Sequence, residues 1–202
     1  MKLVFATRNR DKLKEITAIL NGLPVEILTL EDFPDLAETI EDGDTFEENA
    51  EKKAREAMEH TGLPALADDS GICVDALNGA PGIFAARFAG EGCTYADNNA
   101  KLLRDLHGVP RCERGASFVC VAALVMPNGE VFFARGELDG RIAEKPRGDN
   151  GFGYDPVFVL PDGRVLAELS PDEKHVISHR GAAFKAMEDI LSKIIEDNER
   201  NA

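Results

Sequence analysis

Residues 2–30 read KLVFATRNRDKLKEITAILNGLPVEILTL, and the change of period inside this stretch decides the fold. KLVFA (2–6) is a short apolar run suited to a buried strand. After TRNRD the apolar residues Leu13, Ile16 and Leu20 recur at helical spacing until Asn21-Gly22, a stop signal, and VEILTL (25–30) returns to the strand pattern. Strand, helix and strand in such close succession predict a βαβ unit with two parallel strands. Its first loop then lies at the carboxyl edge of the sheet, where open α/β sheets take their ligands.

Further along, Thr45 and Glu48 make a T-x-x-E capping pattern. It opens a helix with Phe46, Ala50, Ala54 and Ala57 on one face and Gly62-Leu63-Pro64 at its end. A helix from about Tyr95 to His107 follows, with Gly108 as its cap. SFVCVAALVM (117–126), the turn PNG and EVFFARGEL (130–138) predict a long antiparallel hairpin. The Gly-rich loop PRGDNGFGYD (146–155) leads into the strand PVFVL. Ser170-Pro171-Asp172-Glu173 then starts the last helical region, which turns Phe184, Met187, Leu191 and Ile194 inward. No repeat or compositional break divides the chain. The expectation is an α/β fold with a mixed central sheet in two lobes flanked by helices and a ligand cleft between them, forming one domain over residues 1–202.

Composition excludes several classes. At 202 residues, 44% hydrophobic and 30% charged, the chain has an ordinary globular make-up. No run reaches the roughly 18 apolar residues of a membrane helix, and MKLVFATRN turns polar too soon for a secretory signal, so a cytoplasmic protein without membrane contact is expected. Cys73, Cys93, Cys112 and Cys120 show neither zinc nor disulfide spacing. A net charge of −14 argues against a nucleic-acid partner. Ten acids fall between Glu31 and Glu51 with no Lys or Arg among them, the pattern of a solvated loop and helix face.

Four segments carry chemistry against that background. Thr7, Arg8, Asn9, Arg10, Asp11 and Lys12 sit where the first helix begins. Cations there oppose the helix dipole at a cost of about 0.3–1 kcal/mol each unless an anion such as phosphate compensates. The segment ADDSG (67–71) places Asp68 beside Asp69, which reads either as a turn or as a cation-holding pair with Glu41 upstream; Mg²⁺ accepts one or two carboxylates completed by water and phosphate oxygens. GFGYD (151–155) offers glycines for close backbone approach and Phe152 and Tyr154 as stacking faces, or else a loop packed on its own aromatics. Lys174 and SHRG (178–181) supply donors, for a ligand's oxo groups or for the carbonyls of a preceding helix. Neither a Walker loop nor a nucleophile elbow is present.

Together these blocks, ATRNRDKLKEI, TFEENAEKKA, ALADDSGICVDALNGAPGIFAARFAG, PRGDNGFGYDPVF and EKHVISHRGAA, resemble the inosine triphosphate pyrophosphatase family over nearly the whole chain. Arg8 stands where many members have Gly, and Ala85 and Phe88 replace a common Ser and Tyr. The resemblance implies Mg²⁺-dependent hydrolysis of inosine, deoxyinosine or xanthosine triphosphate to the monophosphate and pyrophosphate, in the nucleotide cleft of a homodimer. Carried over by position, Thr7 to Lys12 and Lys53 would bind the triphosphate. Asp69 would be the general base and, with Glu41 and Asp68, a metal ligand. Ser70, Phe152, Gly153, Tyr154, Asp155, Lys174, His179 and Arg180 would hold the nucleoside. The competing readings are a Maf-type pyrophosphatase acting on modified pyrimidines or dTTP, against which SHRG and GFGYD speak, and a non-catalytic nucleotide sensor, which has less need of clustered carboxylates.

Overall fold

The structure, a computed structural model, describes residues 1–200. Strand β1 (Lys2–Phe5), helix α1 (Arg10–Leu20) and strand β2 (Glu26–Thr29) form the expected unit, with β1 and β2 parallel and Lys2 opposite Glu26. Helix α2 (Phe46–Thr61) starts at Thr45, whose side chain accepts the Glu48 N–H. It ends at Gly62, whose φ of 68° lets its N–H reach the Met58 carbonyl at 2.8 Å.

Strand β3 (Ala65–Val74) lies parallel to β1 and pairs antiparallel with β4 (Pro81–Gly82). After α3 (Tyr95–Asp105), the strands β5 (Gly115–Val125) and β6 (Val131–Ile142) are neighbours, joined through a tight turn in which Met126 N–H donates to Glu130 O at 2.9 Å. Strand β7 (Phe158–Val159) completes the order β2-β1-β3-β5-β6-β7, with β4 off this path. The mixed α/β class is therefore as the sequence implies.

One expectation about local structure changes. ADDSG is not a turn: β3 runs through it without a break. The helix opened at Ser170 and the last helix are separate, with His179 starting the latter as the sequence implies: α4 (Pro171–Ile177) and α5 (His179–Arg200) part at Ser178, whose ψ of 152° is extended. Serine favours helix boundaries because its hydroxyl competes for backbone partners.

The chain divides into two compact units. The first comprises Met1–Asp69, Cys120–Gly136 and the segment from Arg180 onward; the second comprises Ser70–Val119 and Glu137–His179. In the first, one core joins Leu3, Phe5, Ile16 and Leu66 to Phe184, Met187 and Leu191 of α5, and the Phe5 and Phe184 rings meet edge to face at 6.0 Å. A second core there joins Val4, Ala65 and Ala67 to Ala54 and Ala57 of α2. The second unit is built around Ile72, Leu102, Leu106, Phe118, Phe158 and Leu166. No helix among the described residues is long and apolar enough to cross a membrane.

Candidate active site

Side chains alternate along a strand, and on β3 the alternation sorts the two acids. Leu66 faces the core made with α1 and α5, while Ala65 and Ala67 face α2. Asp68 follows Leu66, and its Oδ2 lies 2.8 Å from Lys12 Nζ and 3.6 Å from Arg180 Nε. Asp69 follows Ala67, and its Oδ1 lies 3.1 Å from Lys53 Nζ. The adjacent charges thus avoid one another by pointing to opposite faces, each toward its own cations.

On the α2 face, Lys53 Nζ also lies 2.8 Å from Glu41 Oε1, so one ammonium bridges Glu41 and Asp69. The loop carrying Glu41 is fixed by Asn49, one helical turn before Lys53. Its Oδ1 accepts the Gly43 N–H at 2.9 Å, and its Nδ2 lies 3.5 Å from Asp69 Oδ2. Gly43 is required by this close approach, because a Cβ there would lie 2.8 Å from Asn49 Oδ1. Burial raises the Asp69 carboxyl above its ordinary range, an effect that Lys53 and Lys12 oppose and Glu41 adds to. Burial alone would lower Lys53, but the Asp69 and Glu41 charges outweigh it and hold the ammonium on.

The opposite face holds a buried four-member ion network, in which Arg180 Nη1 pairs with Glu15 Oε2 at 2.7 Å and links it to Asp68 and Lys12. Burial would raise the Asp68 carboxyl, yet Lys12 and Arg180 more than offset it and keep it well below the usual carboxylate range. The start of α1 is engaged as well. Asn9 Oδ1 accepts the Asp11 and Lys12 N–H groups at 2.9 and 3.1 Å, and Thr7 Oγ1 accepts the Asn9 N–H at 3.2 Å. Arg8 donates to Leu36 O at 2.7 Å, and Arg10 pairs with Glu31 at 3.3 Å.

In the second unit, Asp155 organises the glycine-rich loop. Its Oδ2 accepts the Phe152 N–H at 2.8 Å and Lys174 Nζ at 2.7 Å, and Lys174 Nζ also stands 4.5 Å from the Phe152 ring centre. Gly151 adopts a φ of 76°, and a Cβ there would collide with Asp155 Oδ2. Tyr154 is buried and donates its hydroxyl to Ala85 O at 2.8 Å, whereas Phe152 keeps part of its ring exposed. His179 stacks on Phe118 at 4.6 Å, nearly parallel, and Ser70 lies on β3 within this unit.

The structure therefore brings Glu41, Lys53 and Asp69 together on one face of β3, and Lys12, Asp68 and Arg180 on the other. Asp68 does not join Glu41 around a common point: among the described residues no group of three or more His, Cys, Asp or Glu side chains is placed to hold a metal ion. Three residues that sequence reasoning did not select emerge here. Glu15 and Asn49 were signalled only as polar residues beside apolar helix positions. Asn99, also buried on α3, donates to Gly153 O at 2.9 Å and so holds the loop that Asp155 shapes.

Carboxylates paired with lysines on β3 in the first unit, and a glycine-rich loop ordered by an ion pair in the second, are each features that nucleotide-handling enzymes use. The chain belongs to the Ham1 family, whose family model matches residues 3–190. A dITP/XTP pyrophosphatase of Geobacter sulfurreducens is 54% identical over 94% of this chain and 96% of its own length. One of Lactiplantibacillus plantarum is 52% identical over 92% of each chain. Among solved structures, a HAM1 protein from Coxiella burnetii superposes with a TM-score of 0.89 at 43% identity, covering 96% of this chain and 99% of the other. A nucleoside-triphosphatase / dITP/XTP pyrophosphatase from Mycobacterium abscessus does so with a TM-score of 0.78 at 48% identity, covering 93% and 98%.

Proposed function

We propose that this chain hydrolyses dITP, XTP and ITP to the nucleoside monophosphate and pyrophosphate, clearing these purines from the nucleotide pool. The names of its relatives support the reaction class. The observation that carries the mechanism is the Lys53 ammonium held between the Glu41 and Asp69 carboxylates. A pair of oxygens that already binds one cation is chemically suited to another, and Mg²⁺ needs only one or two carboxylates when phosphate oxygens and water complete its shell.

Glu41 and Asp69 would hold the ion, with Asp68 behind them keeping Lys12 in place. When bound, Mg²⁺ neutralises phosphate charge and aligns the in-line displacement. Asp69 takes the proton from the attacking water, a role favoured by a carboxyl raised above its ordinary range and contributing typically about 10²–10⁴-fold. Thr7 to Lys12 and Lys53 bind the triphosphate.

Ser70, Phe152 to Asp155, Lys174, His179 and Arg180 hold the nucleoside. Of these, Tyr154 and Arg180 act through the groups they fix, since Ala85 O engages the one and Glu15 and Asp68 the other. Donors aimed at the purine 6-position accept a 6-oxo group and meet adenine's 6-amino hydrogens unfavourably; guanine must be refused at its 2-amino group. The enzyme works in the cytoplasm as a homodimer, with residues 1–202 as one functional domain.

The test is steady-state hydrolysis of dITP with Mg²⁺, with EDTA, and with Mg²⁺ restored. Loss on chelation and recovery on restoration are expected, and undiminished turnover in EDTA contradicts the metal assignment.

A further inference from the structure

Lys53 lies in the position its supposed partner would need. Its ammonium stands 2.8 Å from Glu41 Oε1 and 3.1 Å from Asp69 Oδ1, and only 12% of its side chain is exposed. A divalent cation using the same oxygens would meet that charge at close range with little water to screen it. The protein offers no richer alternative, because no group of three or more acidic, His or Cys side chains is placed to hold a metal among the described residues. The lysine's flexible four-carbon stem allows its ammonium to move to another acceptor without disturbing α2, and an incoming triphosphate supplies such acceptors.

We propose that Lys53 is a built-in counter-cation for Glu41 and Asp69, exchanged for the metal only when nucleotide phosphates arrive to receive the ammonium. The inference rests on Glu41 and Asp69 being the metal ligands. It makes metal and nucleotide binding a coupled pair: each raises the affinity for the other by the same factor. In the free protein one ammonium occupies an oxygen of each carboxylate and offsets one of their two charges, which weakens their attraction for divalent ions, and the ammonium released by the metal becomes the triphosphate's partner.

The experiment is titration of Mn²⁺ into the protein, read by loss of the free-ion electron paramagnetic resonance signal, with and without the α,β-methylene analogue of ITP. Without nucleotide, Lys53→Met is expected to bind Mn²⁺ roughly tenfold or more tighter than the wild type, while Lys53→Arg stays weak. Adding the analogue should tighten the wild type by a similar factor and Lys53→Met by much less. Equal affinities of wild type and Lys53→Met in the absence of nucleotide would overturn the proposal. Lys53→Gln makes the same comparison if the methionine variant does not fold. If Lys53→Met combined with Glu41→Gln binds Mn²⁺ as tightly as Lys53→Met alone, the ligand assignment itself fails.

Discussion

Asp68 and Asp69 are consecutive on β3 and bind different cations on opposite faces of the strand, Asp68 with Lys12 at 2.8 Å and Asp69 with Lys53 at 3.1 Å. One position is enclosed and fully charge-compensated. The other shares its lysine with a second acid, Glu41, which is only partly buried. The two acids should therefore fail in different ways when replaced.

Asp69→Asn removes the proposed base while preserving shape. We expect kcat to fall by about 10²–10⁴-fold with KM little changed, and a melting temperature close to that of the wild type. Steady-state kinetics beside a thermal melt checks this, and a variant with near-normal kcat shows that the proton goes elsewhere.

Asp68→Asn leaves Lys12 and Arg180 facing a neutral group in a buried setting. Breaking such a pair costs about 3–5 kcal/mol, which at this chain length corresponds to a drop of roughly 6–20 °C at neutral pH. The Asp68 carboxyl is held low in the folded protein by Lys12 and Arg180 against its burial. Its stabilisation is thus present above the unfolded value of about 3.9 and is lost as pH falls through the lower folded value. The gap between wild type and Asp68→Asn should therefore be widest at neutral pH and shrink below about pH 4. Denaturant melts across that range measure it.

These roles show where the sequence was informative. The βαβ start was legible because Leu13, Ile16 and Leu20 carry their period locally, and β1 and β2 are parallel as that period implies. Of the two readings ADDSG allowed, the turn fails, because it rests on local propensity, which counts two adjacent acids as mutual repulsion. What permits a strand is tertiary: the counter-ions come from other elements, Lys12 on α1, Lys53 on α2 and Arg180 on α5. Arg180 shows the same limit from the other side. Its place beside His179 suggested a shared task, but His179 stacks on Phe118 while Arg180 pairs with Glu15, a residue 165 positions away.

Gly43→Ala probes the support of Glu41. A Cβ at this position would lie 2.8 Å from both Asn49 Oδ1 and Glu48 Cβ, so the loop carrying Glu41 must shift. A displacement of about 1 Å is enough for a loss of the order of 10²-fold. We expect kcat/KM to fall by about tenfold or more with little change in melting temperature, because Gly43 lies outside the helices and strands. Kinetics at several Mg²⁺ concentrations should show the loss partly relieved at high metal.

Lys174→Met tests the glycine-rich loop. It removes the ammonium that stands 2.7 Å from the buried Asp155 carboxylate. A loss of about 3–5 kcal/mol in stability is expected, together with a rise in KM for dITP that exceeds any fall in kcat. A KM equal to that of the wild type would show that this loop does not hold the nucleoside.

The most direct measurement is phosphorus NMR of the products formed from dITP, XTP, ITP, GTP, ATP and dTTP with Mg²⁺. The account predicts monophosphate and pyrophosphate from dITP, XTP and ITP, with ATP, GTP and dTTP turned over far more slowly. Orthophosphate as the only product, or equal rates on ATP and ITP, would contradict it.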